Sequence, residues 1–131
     1  MKKILVVEDE LSIANFITEV IRILGYEAKI LTNGRKVLTT AKEWKPDLIT
    51  LDIMMPSPDG VEVLSQLKSD PETQGIPVFI ISVAAKDPAI APKISQAQMI
   101  YQKPLDPKEF MEGVRKVLGP GAHEINVKAP G

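Results

Sequence analysis

"DLITLDIMMPSPDG", residues 47–60, runs from an apolar segment through Asp52 into a turn stiffened by Pro56, Pro58 and Asp59-Gly60. Leu48, Ile49 and Leu51 put apolar side chains on both faces of one short strand. Strands of that kind belong to a parallel sheet covered on both sides, whereas a half-exposed strand alternates. A carboxylate at the end of a buried strand is costly unless something compensates it. Two questions arise together: what covers the strand, and what neutralises the acid.

Working outward, four more apolar runs occur: "KILVV" (3–7), "AKIL" (28–31), "PVFII" (77–81) and "MIYQ" (99–102). Between the first two, Ile13, Phe16, Ile17, Val20, Ile21 and Leu24 follow the spacing of one helix face, and Gly25 stands at the C-cap. Val61, Leu64 and Leu67 make a shorter stripe. The last helix opens at "DPKE", with Asp106 as N-cap, Pro107 in the first turn and Glu109 three residues past the cap. Phe110, Val114, Val117 and Leu118 form its inner face. The fourth crossover, "AAKDPAIAPKISQAQ" (84–98), contains Pro88 and Pro92, and the second interrupts any helix continuing past it. The pattern predicts a flavodoxin-like, doubly wound α/β fold with five parallel strands in the order 2-1-3-4-5 and about five helices, the fourth short or irregular. Residues 2–118 form the domain. Residues 119–131, "GPGAHEINVKAPG", have no periodicity and read as a flexible tail or linker remnant.

Composition removes whole classes of chemistry. The chain has 131 residues, one domain's worth, and a formal charge of −1, without the basic excess that a general nucleic-acid surface needs. It has no cysteine, which excludes disulfides, thiolate metal sites and cysteine catalysis. Its one histidine, His123, stands in the tail, so a Ser-His-Asp triad and a multi-histidine metal site are excluded as well. No apolar run is long enough to span a bilayer, and "MKKILVVEDE" turns acidic too early for a signal peptide. A cytoplasmic domain without membrane insertion is expected.

In a parallel α/β sheet, ligands bind at the carboxyl ends of the strands, where the winding reverses. Here the first strand ends in Glu8 and Asp9, the third in Asp52, the fourth in Ser82 and the fifth in Lys103. The expected order makes strands one and three neighbours, so three carboxylates converge opposite a hydroxyl and an ammonium. Uncompensated, the acids would raise one another's pKa. A hard divalent cation is the natural partner, because Mg²⁺ takes oxygen ligands and combines one or two carboxylates with phosphate oxygens. Three carboxylates, one Mg²⁺ and Lys103 sum to zero charge. Phosphorylation of Asp52 would take the site to about −1 and add oxygens seeking Ser82, Lys103 and the metal. One covalent event would thus rearrange hydrogen bonds at the ends of three strands.

These residues resemble the receiver domain of two-component response regulators, across residues 2–118. The carriers are "ILVVEDE" with its acidic pair, "DIMMPSPDG" with its Asp-to-Gly spacing, "FIIS" ending at Ser82, and "QKP" around Lys103. The resemblance implies Asp52 as phosphoacceptor, and Glu8 and Asp9 as the pair binding Mg²⁺ (or Mn²⁺), one of them through water. It implies the Met54 backbone carbonyl as a further metal ligand, Ser82 and Lys103 as the grip on the phosphoryl oxygens, and a cis Lys103–Pro104 bond. It also implies a histidine kinase or phosphotransfer protein as donor, and a downstream protein or fused output domain as recipient. No direct nucleic-acid binding by this chain is expected. Since only Asp52 would be modified and released, no turnover enzyme is expected either.

Three positions depart from the family pattern. The aromatic residue usual three positions before the lysine is Ile100, and Tyr101 follows it, facing the opposite side of the strand by alternation. Val83 stands where a small residue usually follows the Ser/Thr and is expected to crowd the phosphoryl group. "QAQ" (96–98) replaces the usual turn before strand five. Val83, Ile100 and the disrupted fourth crossover support an alternative, a degenerate receiver acting through protein contacts with little or no phosphorylation. A flavodoxin-type electron carrier is a third reading, opposed by "EDE" (8–10), which repels a flavin phosphate. Taken alone, that acidic run also reads as a solvated loop before a helix, Ser82 as an ordinary strand-end hydroxyl, and Met54-Met55 as packing. Trp44 is expected at the outer edge of the second helix. The length leaves no room for an output module, so a stand-alone regulator or an excised receiver is expected.

Overall fold

The computed structural model describes residues 1–119; the tail reading, apart from Gly119, lies outside these residues. The elements run β1 (Lys3–Val7), α1 (Leu11–Ile23), β2 (Glu27–Leu31), α2 (Val37–Trp44), β3 (Leu48–Leu51), α3 (Gly60–Ser69), β4 (Val78–Ser82), a short 3-10 turn (Ala91–Ile94), β5 (Met99–Gln102) and α4 (Pro107–Leu118). All strand pairs are parallel, in the order β2-β1-β3-β4-β5. The described residues contain four α-helices, and the fourth crossover holds only the 3-10 turn, with Pro92 inside it. Proline removes an N–H and clashes with the preceding turn, so the segment stays irregular.

The sheet is covered on both faces, as its unbroken apolar central strands β1, β3 and β4 require. One face, Ile4, Val6, Leu48, Phe79, Ile81 and Tyr101, packs against α1 and α4. The other, Leu5, Val7, Ile49, Leu51, Val78 and Ile80, packs against α2, α3 and Ile94 of the 3-10 turn. Two helix faces differ from the sequence reading. In α1 the buried positions are Ala14, Ile17, Thr18, Val20 and Ile21, while Phe16 is 43% exposed. Spacing alone did not separate the centre of the stripe from its margin. In α3 Val63 is buried with Leu64 and Leu67, and Val61 is only half-buried. Trp44 ends α2 as expected, half-buried, with the Lys3 and Lys29 ammonium groups each 5.1 Å from its ring centroid. No helix among the described residues is long and apolar enough to cross a membrane.

Candidate metal and phosphoryl site

Register brings the acids together. Val7 pairs with Leu51, so the next residues of β1 and β3, Glu8 and Asp52, leave the sheet at the same level. The ladder continues one step past the strands: Asp52 N–H donates to Val7 O at 3.1 Å and Glu8 N–H to Leu31 O at 3.0 Å. Glu8 and Asp52 are 1% and 4% exposed, whereas Asp9 is exposed at the mouth. One carboxylate oxygen from each of Glu8, Asp9 and Asp52 lies within 4.8 Å of the other two.

From the far side, Lys103 completes the pocket. Its Nζ lies 2.8 Å from Glu8 Oε1 and 3.1 Å from Asp52 Oδ2. The Asp52 contact is an aligned hydrogen bond. The Glu8 contact is an ion pair by distance only, leaving Oε1 a buried acceptor without a hydrogen bond. The second oxygens are held by backbone: Met54 N–H donates to Asp52 Oδ1 at 3.0 Å, and Glu10 N–H to Glu8 Oε2 at 3.1 Å. Burial raises the pKa of Glu8 above the ordinary glutamate value, and the Asp52 charge adds to the rise; Lys103 and the Glu10 N–H offset only part of it. Burial pulls the Lys103 pKa down, but its contacts with Glu8 and Asp52 outweigh that, so it stays cationic with a raised pKa.

The donor set fits a small hard cation. Opposite ligands of an octahedral Mg²⁺ are about 4.2 Å apart. Adjacent ligands are about 3.0 Å apart, and three ligands cannot all be opposite. Carboxylates gathered within 4.8 Å therefore reach one ion by contracting around it, or with a water standing in for one of them. Glu8 Oε1, ion-paired with Lys103 but without an aligned hydrogen bond, is an acceptor such an ion would satisfy.

Ser82 ends β4 fully buried, its Oγ accepting from Ala84 N–H at 3.2 Å. Lys103 N–H donates to Ser82 O at 3.1 Å, tying the two strand ends together. The Lys103–Pro104 peptide is cis, as the resemblance implied; Ser57–Pro58 is cis as well. Met55 is buried, consistent with packing, but Met54 is 57% exposed, so the packing reading fails for that residue. Val83 is 60% exposed, its side chain opening toward solvent on the rim of a groove of about 500 Å³ that Lys103, Phe16 and Leu105 also line. Tyr101 and Ile100 face opposite ways, 7% and 45% exposed, as alternation predicts.

Two residues near the site have contacts that the sequence reading did not assign. Gly60 opens α3, and a Cβ there would overlap the backbone of Asp52 and Ile53. The Asp59-Gly60 pair is therefore a cap plus a close approach: Asp59 Oδ1 accepts from Glu62 N–H at 3.0 Å, and Gly60 N–H bonds Ile53 O at 3.1 Å. The Asp-to-Gly spacing was the available signal. Gln102 is the second, its amide reaching Val83 O at 2.8 Å.

A three-layered α/β/α domain with a carboxylate cluster and a lysine at the C-terminal edge of its sheet is the class so defined. The response regulator receiver domain family matches residues 4–115. The polar-differentiation response regulator DivK of Brucella anthropi is 32% identical over 119 residues, 90% of this chain and 97% of that protein. The DNA-binding response regulator MtrA of Mycobacterium leprae is 32% identical over 118 residues, 89% of this chain and 51% of that protein. The chain thus spans about half the length of such curated relatives. Among solved structures, the response regulator TrrA of Thermotoga maritima, in complex with Mg²⁺ and BeF, superposes with a TM-score of 0.79 at 28% identity, covering 90% of this chain and 100% of that one. The chemotaxis protein CheY4 of Vibrio cholerae shares the fold, with a TM-score of 0.81 at 24% identity over 90% of this chain and 99% of that one. The chain belongs to the receiver-domain family of response regulators.

Proposed function

We propose that Asp52 accepts a phosphoryl group from the phosphohistidine of a histidine kinase or phosphotransfer protein, with Mg²⁺ or Mn²⁺ as cofactor. The domain then acts as a cytoplasmic signalling switch for a downstream protein or fused output domain. The observation that carries this is the buried Asp52 carboxylate sharing one pocket with Glu8 and Asp9 while the Lys103 ammonium stands 3.1 Å away. The Mg²⁺–BeF complex of TrrA supports the same use of the site.

Glu8, Asp9, Asp52 and the Met54 carbonyl would hold the ion, which supplies charge neutralisation between the acids and the incoming oxygens. An Asp52 oxygen attacks phosphorus, the P–N bond to the donor imidazole breaks, and the imidazole leaves with the electron pair. The Met54 N–H bond to Oδ1 orients the nucleophile. Lys103 exchanges a carboxylate contact for a phosphoryl oxygen. Ser82 Oγ accepts from Ala84 N–H and keeps its own proton to donate to another oxygen. Asp52 is the only group modified, so the chain turns over no other substrate. The exposed apolar residues Leu11, Phe16, Met54 and Val83 follow or adjoin the acidic pocket and suit a protein donor.

The degenerate-receiver alternative draws its support from β5, where the aromatic ring is buried as Tyr101 and Ile100 is the exposed side chain. That feature bears on how a signal leaves the domain and leaves the acid pocket intact. Incubation with acetyl phosphate and Mg²⁺ tests the proposal. The expected product is a hydroxylamine-labile acyl phosphate, absent from Asp52→Asn. Folded wild-type protein that takes no phosphate, or an Asp52→Asn variant labelled equally, overturns it.

A further inference from the structure

We infer that Gln102 is a positioning residue for the Ser82 hydroxyl, a role that rests on the phosphoacceptor reading above. In the β4/β5 register Ser82 pairs with Gln102, and Lys103 N–H donates to Ser82 O at 3.1 Å. The Gln102 side chain adds a second tie, Nε2 donating to Val83 O at 2.8 Å. Reversing the amide would set two oxygens against each other, so Nε2 is the end at Val83. Ser82 Oγ in turn accepts from Ala84 N–H at 3.2 Å. Gln102 therefore fixes the residue between Ser82 and the N–H that orients its hydroxyl.

The turn carries its own backbone bonds, Ala85 N–H to Ser82 O at 3.4 Å and Asp87 N–H to Ala84 O at 3.1 Å, and Gln102 is the side chain that ties Val83 to β5. The turn opens the irregular crossover, where the first regular element beyond β4 is the 3-10 turn at Ala91–Ile94. Ser82 is fully buried, so water cannot reorient its hydroxyl from outside. Gln102 Oε1 is itself buried without a hydrogen-bond partner among the described residues. An orphaned buried acceptor is destabilising, and a valine or threonine would suit the strand without it. Gln102 stands adjacent to Lys103 and opposite Ser82, and its amide nitrogen holds the Val83 carbonyl.

Gln102→Met tests this, because it keeps length and volume while removing both the donor and the orphaned oxygen. Phosphorylation by acetyl phosphate at saturating Mg²⁺, the Mg²⁺ dissociation constant and the thermal midpoint are measured together. The rate is expected to fall about fivefold, the effect of one hydrogen bond. Mg²⁺ affinity is expected to stay within about twofold, since none of the hydrogen bonds described for Gln102 involves Glu8, Asp9 or Asp52. The midpoint is expected to hold or rise. In a Ser82→Ala background the same substitution is expected to leave the rate unchanged, which a loosening unrelated to the hydroxyl would not produce. Wild-type protein that takes no phosphate overturns the phosphoacceptor reading and this inference with it. A phosphorylated wild type with an equally fast Q102M overturns this inference alone. So does a rate that falls together with the midpoint, or an undiminished effect in the Ser82→Ala background.

Discussion

Replacing Lys103 by methionine removes the ammonium held between two nearly inaccessible carboxylates, Glu8 Oε1 at 2.8 Å and Asp52 Oδ2 at 3.1 Å. Deleting one partner of a buried ionic cluster costs about 3–5 kcal/mol, because the remaining charge is left desolvated. Here the loss belongs near about 3 kcal/mol, since Asp9 opens the site to solvent and Glu8, with its pKa already raised, can take up a proton. The sign with pH follows. Without Lys103, Glu8 titrates still higher in the folded state than in the unfolded chain. The deficit is therefore smallest below the ordinary glutamate pKa of 4.5 and grows as pH rises through the folded value. A divalent cation substitutes for the missing charge. At a concentration about a hundredfold above its Kd, Mg²⁺ returns about 2.7 kcal/mol. At the same Mg²⁺ concentration the gain is expected to be larger than in wild-type protein, where the ammonium opposes the ion and raises its Kd. Urea unfolding of both proteins with EDTA and with Mg²⁺, repeated at acidic and neutral pH, measures each quantity. A K103M variant as stable as wild type in EDTA at neutral pH, or one that Mg²⁺ does not rescue, refutes the reasoning.

Other perturbations test the packing that supports the site. Tyr101 is ringed by Phe79 and Phe110, and its hydroxyl is buried without a hydrogen-bond partner among the described residues. Tyr101→Phe is therefore expected to stabilise by about 1 kcal/mol in chemical denaturation. A Cβ at Gly113 would overlap that hydroxyl, so Gly113→Ala is expected to destabilise by about 1–2 kcal/mol despite alanine's helix propensity. In the Tyr101→Phe background it is expected to cost less or stabilise; equal effects in both backgrounds contradict the packing. Gly60→Ala forces a Cβ into the Asp52 and Ile53 backbone and is expected to cost about 2 kcal/mol and weaken Mg²⁺ binding, measured by calorimetry. Asp106→Ala removes the cap that accepts from Lys108 N–H at 2.9 Å and is expected to cost about 1 kcal/mol without altering Mg²⁺ affinity.

The sheet was legible because its central strands β1, β3 and β4 are apolar on both faces, and the strand order followed as the common solution for right-handed parallel crossovers. The acid cluster was legible for a related reason: Glu8, Asp52, Ser82 and Lys103 each terminate an apolar run, and a parallel sheet gathers such ends on one edge. What stayed hidden depends on distances that no pattern encodes. Phe16 fits the periodicity of α1 yet stands 43% exposed, at the margin of a buried stripe centred on Ala14, Ile17 and Ile21. Gly60 and Gly113 matter for the missing Cβ, visible only once Asp52 and Tyr101 have been placed against them. Gln102 looked like the last residue of a strand, and its bond to Val83 O exists only after β4 and β5 pair.

The central proposition is that β1 and β3 acids share one divalent ion and present Asp52 to phosphorus. NMR titration with beryllofluoride, with and without Mg²⁺, tests it most directly. Mg²⁺ alone is predicted to shift the amides of Glu8, Asp9, Asp52 and Met54, and beryllofluoride is predicted to add shifts at Asp52, Ser82 and Lys103 only when Mg²⁺ is present. Shifts at the opposite end of the sheet, or none in folded protein at saturating Mg²⁺, would contradict the account.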